Sequence, residues 1–373
     1  MAVTPAQIKW SSYTSYEGPF FLGVRRFTLP ANPDDSDKLL AVITATEGGH
    51  YDAINMYDRC IISVGIIQWC EAGQYSVSGM LGAVADRCGI NVVLEALKTS
   101  LTAANATFKK NSKGQWRFFF NDSGEVNTVE KQRQLFLGCS GLKGSWTPNS
   151  TAKAKQWAAD MCNLWLNDEA CKAQVEYTRA RLKWFATVDA QKILYDAEPN
   201  VGWVGALRAG YISFAANLPA AASAQLKLAV ANLKSPKWSP NWCVGVLKQL
   251  TFGPNIAIYP VRYNAIRPVL EALWGVTLPK TAKDLQAWTE PEAPVPEPPK
   301  PTPEPTPPPP PAPEPSPPPA PQPEPPPAPE PPPVPPPDPI VPVPPPTPAP
   351  PGGVLGFILW LLQTIFSKFT RKQ

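Results

Sequence analysis

Of the chain's 51 prolines, 38 fall between Pro291 and Pro351. A segment of this kind lacks backbone donors and carries almost no apolar side chains to bury, so it cannot build a core. It reads as polyproline II with interspersed glutamates. This one feature divides the 373 residues into a foldable region 1–288, a proline-rich linker 289–353 and a terminal piece 354–373. At about 3.1 Å per residue, a linker of that length reaches roughly 190 Å when straight. A spacer is the reading adopted for it, with a PxxP docking ligand as the alternative.

The terminal piece contains "VLGFILWLLQTIF", Val354 to Phe366, in which only Gln363 and Thr364 are polar. A spanning helix needs about 20 apolar residues, which this run does not supply. Wound as a helix, it places Thr364, Ser367, Lys368 and Arg371 on one side and Ile358, Leu361, Leu362, Ile365 and Phe369 on the other. That pattern predicts an amphipathic helix with a basic end, lying in an interface and taking an anionic membrane as partner. Docking onto the folded region, or self-association, is the competing use.

The whole chain carries a net charge of +4, and from Glu290 onward there are eight acidic and four basic residues, which leaves about +8 on the foldable region. A basic body calls for a polyanionic partner. Nothing but charge points to nucleic acid, so none is expected; a bacterial envelope supplies the same sign. Seven cysteines without any C-x-x-C spacing read as reduced, partly buried thiols, although Cys60 and Cys70 are placed to face each other across a hairpin. The opening "MAVTPAQIKWSSY" has no charged region followed by an apolar run, so no secretory signal is expected.

Apolar periodicity predicts a mainly α (α+β) fold. A helix should start at Asp35, Ser36 or Asp37, present Leu39, Leu40, Val42 and Ile43, and stop at Gly48-Gly49. "IISVGIIQW", from Ile61 to Trp69, has the composition of a strand, and residues 76–110 return to a helical period. "GQWRFFFNDSGEVNT" reads as strand and turn. Helices are expected through 151–197 and at 201–217, 220–234, 240–252 and 264–275. The foldable region is therefore expected to hold a catalytic part at about 1–150, with a small β element, and a helical lobe at about 151–288.

One histidine, His50, cannot build a His-rich zinc site, and no phosphate-cradling glycine loop or paired metal-carboxylate motif stands out, so neither metal nor cofactor is expected. Carboxylate chemistry remains. Cleaving a glycoside needs a carboxylic acid that keeps its proton near neutral pH, and half-burial against apolar groups favours that state. Glu47 ends a predicted helix, with Ile43 one turn before it and "IISVGII" after it. Asp58 and Ser63 fall in the following turn and strand, where a second group would hold water or steady a cationic sugar.

"EGGHYDAINMYDRCIISVGIIQW", Glu47 to Trp69, resembles the catalytic stretch of the lysozyme superfamily. Phage-type lysozymes place Glu-Gly at a helix end, then a Tyr and an Asp, then a Thr-x-Gly strand; here stand Glu47-Gly48, Tyr57-Asp58 and Ser63-Val64-Gly65. Lytic transglycosylases and goose-type lysozymes pair one glutamate with a later serine and a Gly-Leu-Met-Gln loop; here stand Glu47, Ser63 and Gly65-Ile66-Ile67-Gln68. Their later Ala-Tyr-Asn has only partial counterparts in Phe214-Ala215-Ala216-Asn217 and Tyr263-Asn264-Ala265. The resemblance covers about 25 of the 373 residues. It implies a lysozyme-like domain that degrades bacterial peptidoglycan, with Glu47 as acid, Asp58 as second carboxylate, Ser63 orienting water or substrate, and Gln68 and Tyr57 contacting the glycan. It further implies a phage lysis or virion protein working at the host cell envelope, by hydrolysis or by transglycosylation. A non-enzymatic virion or envelope-spanning protein, with a proline-rich arm and a membrane-seeking helix, is the alternative.

Overall fold

The computed structural model describes residues 2–58, 60–71, 76–196, 199–253 and 257–291. The linker from 292 onward and the amphipathic helix expected over 354–373 lie outside the described residues. After a 3-10 turn at Pro5–Gln7 the chain forms a hairpin of β1 (Lys9–Tyr13) and β2 (Tyr16–Phe21), then helix α1 (Asp35–Glu47). Three two-residue strands follow, β3 (Ile54–Asn55), β4 (Ser63–Val64) and β5 (Trp69–Cys70). Helices α2 (Val77–Cys88), α3 (Ile90–Ala96) and α4 (Lys98–Ala103) lead into β6 (Ala106–Lys110), β7 (Trp116–Phe120) and β8 (Gly124–Glu125). The regular elements of the remaining described residues are helical: α5 (Val129–Phe136), α6 (Pro148–Leu164), α7 (Asp168–Arg179), a 3-10 turn at Leu182–Phe185, α8 (Val188–Leu194), α9 (Gly202–Asn217), α10 (Pro219–Asn232), α11 (Pro240–Phe252), α12 (Ile258–Trp274) and α13 (Ala282–Ala287). The architecture is mainly α with two antiparallel sheets, ordered β1-β2-β3-β4-β5 and β6-β7-β8. Among the described residues no helix is long and apolar enough to cross a membrane.

Four local expectations change. The cap of α1 is Asp34, one residue before the predicted candidates: its carboxylate accepts from Asp37 N at 2.8 Å, and the Asp37 side chain accepts from Asp34 N at 3.2 Å, closing a capping box. The predicted strand Ile61–Trp69 is instead β4, a turn over 65–68 and β5, because Gly65 (φ 92) and Gln68 (φ 54) turn the chain back on itself. The helical period of 76–110 ends at Ala103, and 106–110 pairs with β7 as a strand. Helix α12 begins six residues before the predicted 264, with Pro260 in its first turn, where a missing N–H breaks no helical bond.

Helix α1 is the centre of the arrangement. Leu40, Val42 and Ile43 are fully buried, and the helix packs on α9, α12 and α7. The buried apolar side chains form one connected cluster from Val3 to Leu285. The expected boundary near residue 150 therefore leaves no mark in the core, and helices expected as an extra lobe flank the helix that ends in Glu47. Cys162, Cys171 and Cys243 are buried.

One buried carboxyl closes the end of the first sheet. Glu71 follows β5, is 6% exposed, donates its backbone N–H to Ile62 O at 3.0 Å, and accepts from Ser78 N at 2.8 Å and from Ser78 Oγ at the start of α2. Burial pushes it up from 4.5 to about 7, against the opposing pull of Ser78 and Arg117. Because the folded value lies above the unfolded one, the stabilisation is complete below the ordinary carboxyl range and is lost as pH rises through 7. That loss is on the order of 3 kcal/mol. Thermal melts should show the wild type losing stability between pH 5 and pH 8 more steeply than Glu71→Gln, whose amide serves the same Ser78 contacts without a charge. Parallel pH dependence for the two proteins would rule out the burial of an ionising carboxyl at this position.

Candidate functional site

Glu47 is the last residue of α1, and the helix stops there because Gly48 takes the left-handed conformation (φ 90) that a side chain resists. Its carboxylate opens onto a cleft of about 520 Å³. On the other side it meets Arg262: Nη2 donates to Glu47 Oε1 at 2.8 Å, with side-chain exposures of 3% for Arg262 and 22% for Glu47. Arg262 Nη1 donates to Thr46 Oγ1 at 2.7 Å and to Ser213 O at 3.0 Å. Thr46 Oγ1 in turn donates to Ile43 O at 2.8 Å. A buried guanidinium is costly unless it is paired and hydrogen-bonded, and α1 and α9 supply its acceptors. The apolar shelter expected around Glu47 is therefore replaced on one side by a cation.

Three strands make the facing wall. Register sets Asn55 opposite Ser63 and Ser63 opposite Cys70, so the three side chains share one face of the sheet. All three line the cleft. Ser63 is only 4% exposed. Asp58, between β3 and β4, also lines the cleft and builds the turn: Oδ2 accepts from Asn55 Nδ2 at 2.9 Å and Oδ1 from Cys60 N at 2.7 Å.

The turn over 65–68 completes this side. Gln68 lines the cleft from a left-handed backbone (φ 54), and its Nε2 donates back to Gly65 O at 3.0 Å. Ile61, buried and β-branched, is also left-handed (φ 68). Such conformations persist only where the surroundings impose them. The constraint comes from α7. Gln174, fully buried, accepts from Ile66 N at 2.8 Å through Oε1 and donates to Tyr51 O at 3.3 Å through Nε2. Trp69 Nε1 donates to Thr178 Oγ1 at 3.1 Å one turn further along the same helix.

Four of the five sequence-derived residues, Glu47, Asp58, Ser63 and Gln68, thus line one cleft. Tyr57 is not among its lining residues. It packs edge-on against Phe20 at 5.8 Å, and burial, with the Asp58 carboxylate beside it, pushes its hydroxyl up from the ordinary phenol value. Its ring thus rests on Phe20 of β2, outside the lining of the cleft. His50 is also outside the lining, with Nδ1 buried and unpartnered among the described residues. The remaining wall comes from residues that sequence reading did not assign: Phe185 from the second 3-10 turn, and Ala216 and Asn217 from the end of α9. Of the two partial Ala-Tyr-Asn counterparts, only the one ending at Asn217 reaches the cleft; Tyr263 is buried, with its hydroxyl donating to Pro279 O at 2.7 Å. Arg262 was missed although it left a signal. It stands among Tyr259, Tyr263, Ile266 and Leu270, a cation within an apolar helical stripe, and such a cation needs a buried anion.

Chemically, the cleft offers a carboxylate held by an arginine, a second carboxylate, a hydroxyl and a primary amide around a space large enough for a ligand. The chain matches no protein-family model, no curated protein and no solved structure.

The arrangement depends on Gly65. A Cβ there would stand 2.6 Å from Gln174 Oε1, on backbone that a side chain already resists. Gly65→Ala should cost at least about 2 kcal/mol of stability. Gly114→Ala, at another left-handed glycine with open space around it, should cost only the backbone strain of about 1 kcal/mol. Denaturant titration of both variants checks this, and equal costs would show that Gln174 does not clamp the turn.

Proposed function

We propose that this protein is a peptidoglycan-degrading glycosidase with a lysozyme-like catalytic region. It would cleave the glycosidic bond between N-acetylmuramic acid and N-acetylglucosamine, with Glu47 as general acid. The observation that carries the reading is convergence: Glu47, Asp58, Ser63 and Gln68, spread over a helix end, two turns and a strand, line one cleft. In this reading Glu47 passes a proton to the leaving oxygen. Arg262, fixed by Thr46 and Ser213, stabilises the carboxylate that remains. Asp58 activates the attacking water, and Ser63 and Gln68 orient water and glycan. Hydrolysis rather than transglycosylation is the chemistry adopted, because a second carboxylate lies in the cleft. A phage lysis or virion role at the bacterial envelope fits the basic body, with the linker and the amphipathic sequence at 354–373 reaching for an anionic membrane.

Glu47→Gln should lower the rate of wall clearing by at least about 100-fold, because the amide has no proton to transfer. It should also melt at a lower temperature, since Arg262 loses its anion at a cost of about 1–3 kcal/mol, discounted for the partial exposure of Glu47. Turbidity assays well below that melting point separate the two effects, and wild-type clearing by the variant would sink the assignment. Asp58→Asn should be comparably severe, with released fragments ending in reducing sugars. Anhydro-muramyl ends would transfer the reading to transglycosylation.

A second reading has its own observation. The Glu47–Arg262 pair is a sufficient structural reason for a glutamate at this helix end, as in a non-enzymatic virion or envelope-spanning protein. Under it, Glu47→Gln loses stability while the wild type releases no saccharide from purified walls.

A further inference from the structure

We infer that Gln174 is a positioning residue for the reaction: its single buried amide ties the chain leaving Glu47 to the hairpin that carries Ser63 and Gln68, and so fixes the spacing of the acid and the groups that orient water and glycan. The inference rests on the glycosidase reading and adds to it the residue that sets the geometry of the site from behind. Gln174 lies in α7, is fully buried and stands outside the lining of the cleft, so it acts only through the segments it holds.

The chain that leaves Glu47 does not set its own course. Gly48 and Gly49 both take the left-handed conformation (φ 90 and 64), and glycine moves readily out of it, so the path depends on what catches the chain beyond them. Backbone does part of this: Phe27 N donates to Gly49 O at 2.7 Å and Tyr51 N to Arg25 O at 2.8 Å. Gln174 does the rest, with Nε2 donating to Tyr51 O at 3.3 Å. The same amide accepts from Ile66 N at 2.8 Å through Oε1. Tyr51 is four residues after Glu47, and Ile66 lies between Ser63 and Gln68, three residues after the one and two before the other. Only one orientation of the amide serves, because Ile66 N can only donate and Tyr51 O can only accept. Gly65 N adds a bond to Ala53 O at 2.9 Å, so the two segments are joined both directly and through the side chain.

The carrier is itself fixed. Helix α7 packs on α1, and one turn after Gln174 the Thr178 hydroxyl donates to Gln174 O at 2.8 Å while accepting from Trp69 Nε1 at 3.1 Å. The turn fits the amide so closely that a Cβ on Gly65 would stand 2.6 Å from Gln174 Oε1. A fully buried amide is tolerated only with its groups bonded. An apolar side chain of the same size would fill the space but hold neither segment, and a misplacement of about 1 Å in a reacting site costs on the order of 100-fold in rate.

The test is turnover of soluble wall glycan by the full chain, well below the melting point of every variant. Gln174→Met keeps the volume and removes both hydrogen bonds. It should lower kcat by at least about tenfold and change KM by less, because the residue lost touches no substrate. Where methionine is not tolerated, Gln174→Asn gives the same measurement, its shorter amide being unable to span both partners. Ser100→Ala is the comparison: it removes a buried 2.7 Å hydrogen bond to Asp160, between α4 and α6 and outside the cleft lining, and should lower the melting temperature with kcat unchanged. Gln174→Glu is the conservative rescue. At pH 5 burial keeps the introduced carboxyl protonated, with one oxygen for Ile66 N and a hydroxyl for Tyr51 O, so it should retain most of the wild-type kcat at that pH. Wild-type kcat in Gln174→Met, an equal loss in Ser100→Ala, or a Gln174→Glu at pH 5 no better than Gln174→Met each overturns the positioning role and leaves the glycosidase reading standing. If the unsubstituted chain releases no saccharide, the glycosidase reading fails and the role of Gln174 fails with it.

Discussion

Arg262 is the group around which the rest is organised. A guanidinium that is 3% exposed has lost nearly all its water, and only fixed acceptors can offset that loss. They come from Thr46 and Glu47 at the end of α1 and from Ser213 in α9. Removing any acceptor strands a buried cation, so the three helices must keep their mutual placement. The cleft is built on that placement: its acid candidate ends α1, Ala216 and Asn217 end α9, and the 3-10 turn bearing Phe185 packs on both. Glu47 and Arg262, 215 positions apart in sequence, are therefore joined beside the cleft, and the buried core runs without a break past residue 150.

That distance also explains what the sequence could reveal. The end of α1 was legible because Gly48-Gly49 is a local stop signal. Its start was legible only to within a residue or so, since Asp34, Asp35 and Asp37 are all competent caps and the capping box settles on Asp34 through its geometry with Asp37. The β4–β5 hairpin was read as one strand because its turn contains two isoleucines, whose strand propensity outweighs a single glycine. The deciding contact, Gln174 to Ile66 N, lies 108 residues away. Tyr57 adjoins Asp58 in sequence, yet its ring packs against Phe20 and it is not among the lining residues, a contact that no local pattern announces. Phe185 had no local signal at all, since one aromatic in a helical region reads as core.

The two sides of the cleft are stabilised differently. The α1–α12 side is held by a charge pair with few degrees of freedom. The opposing side is two-residue strands and turns, which cannot stand alone. It is braced from behind by α7 through Gln174 and Thr178, and at its far end by the buried Glu71, which accepts from Ser78 of α2. The contact with α2 involves a carboxyl whose burial raises it to about 7, so this wall loses stability toward alkaline pH.

Strain is concentrated on the same wall. Ile61 and Gln68 hold left-handed backbone within eight residues that also contain Ser63 and Gly65, each non-glycine position costing on the order of 1 kcal/mol. A hairpin needed only for packing could shed that cost by placing glycine or asparagine at both positions. Keeping glutamine at φ 54 fixes its amide at the cleft, with Nε2 tied to Gly65 O and the backbone unable to relax. The same logic applies to the largely buried Glu47–Arg262 pair, which two apolar residues of similar volume would replace at little cost or with gain. A fold that retains both the strained turn at the cleft and a buried cation paired with Glu47 of its lining spends stability where pre-organised polar groups are useful. That is the physical reason for preferring a reacting site over a purely structural one at Glu47.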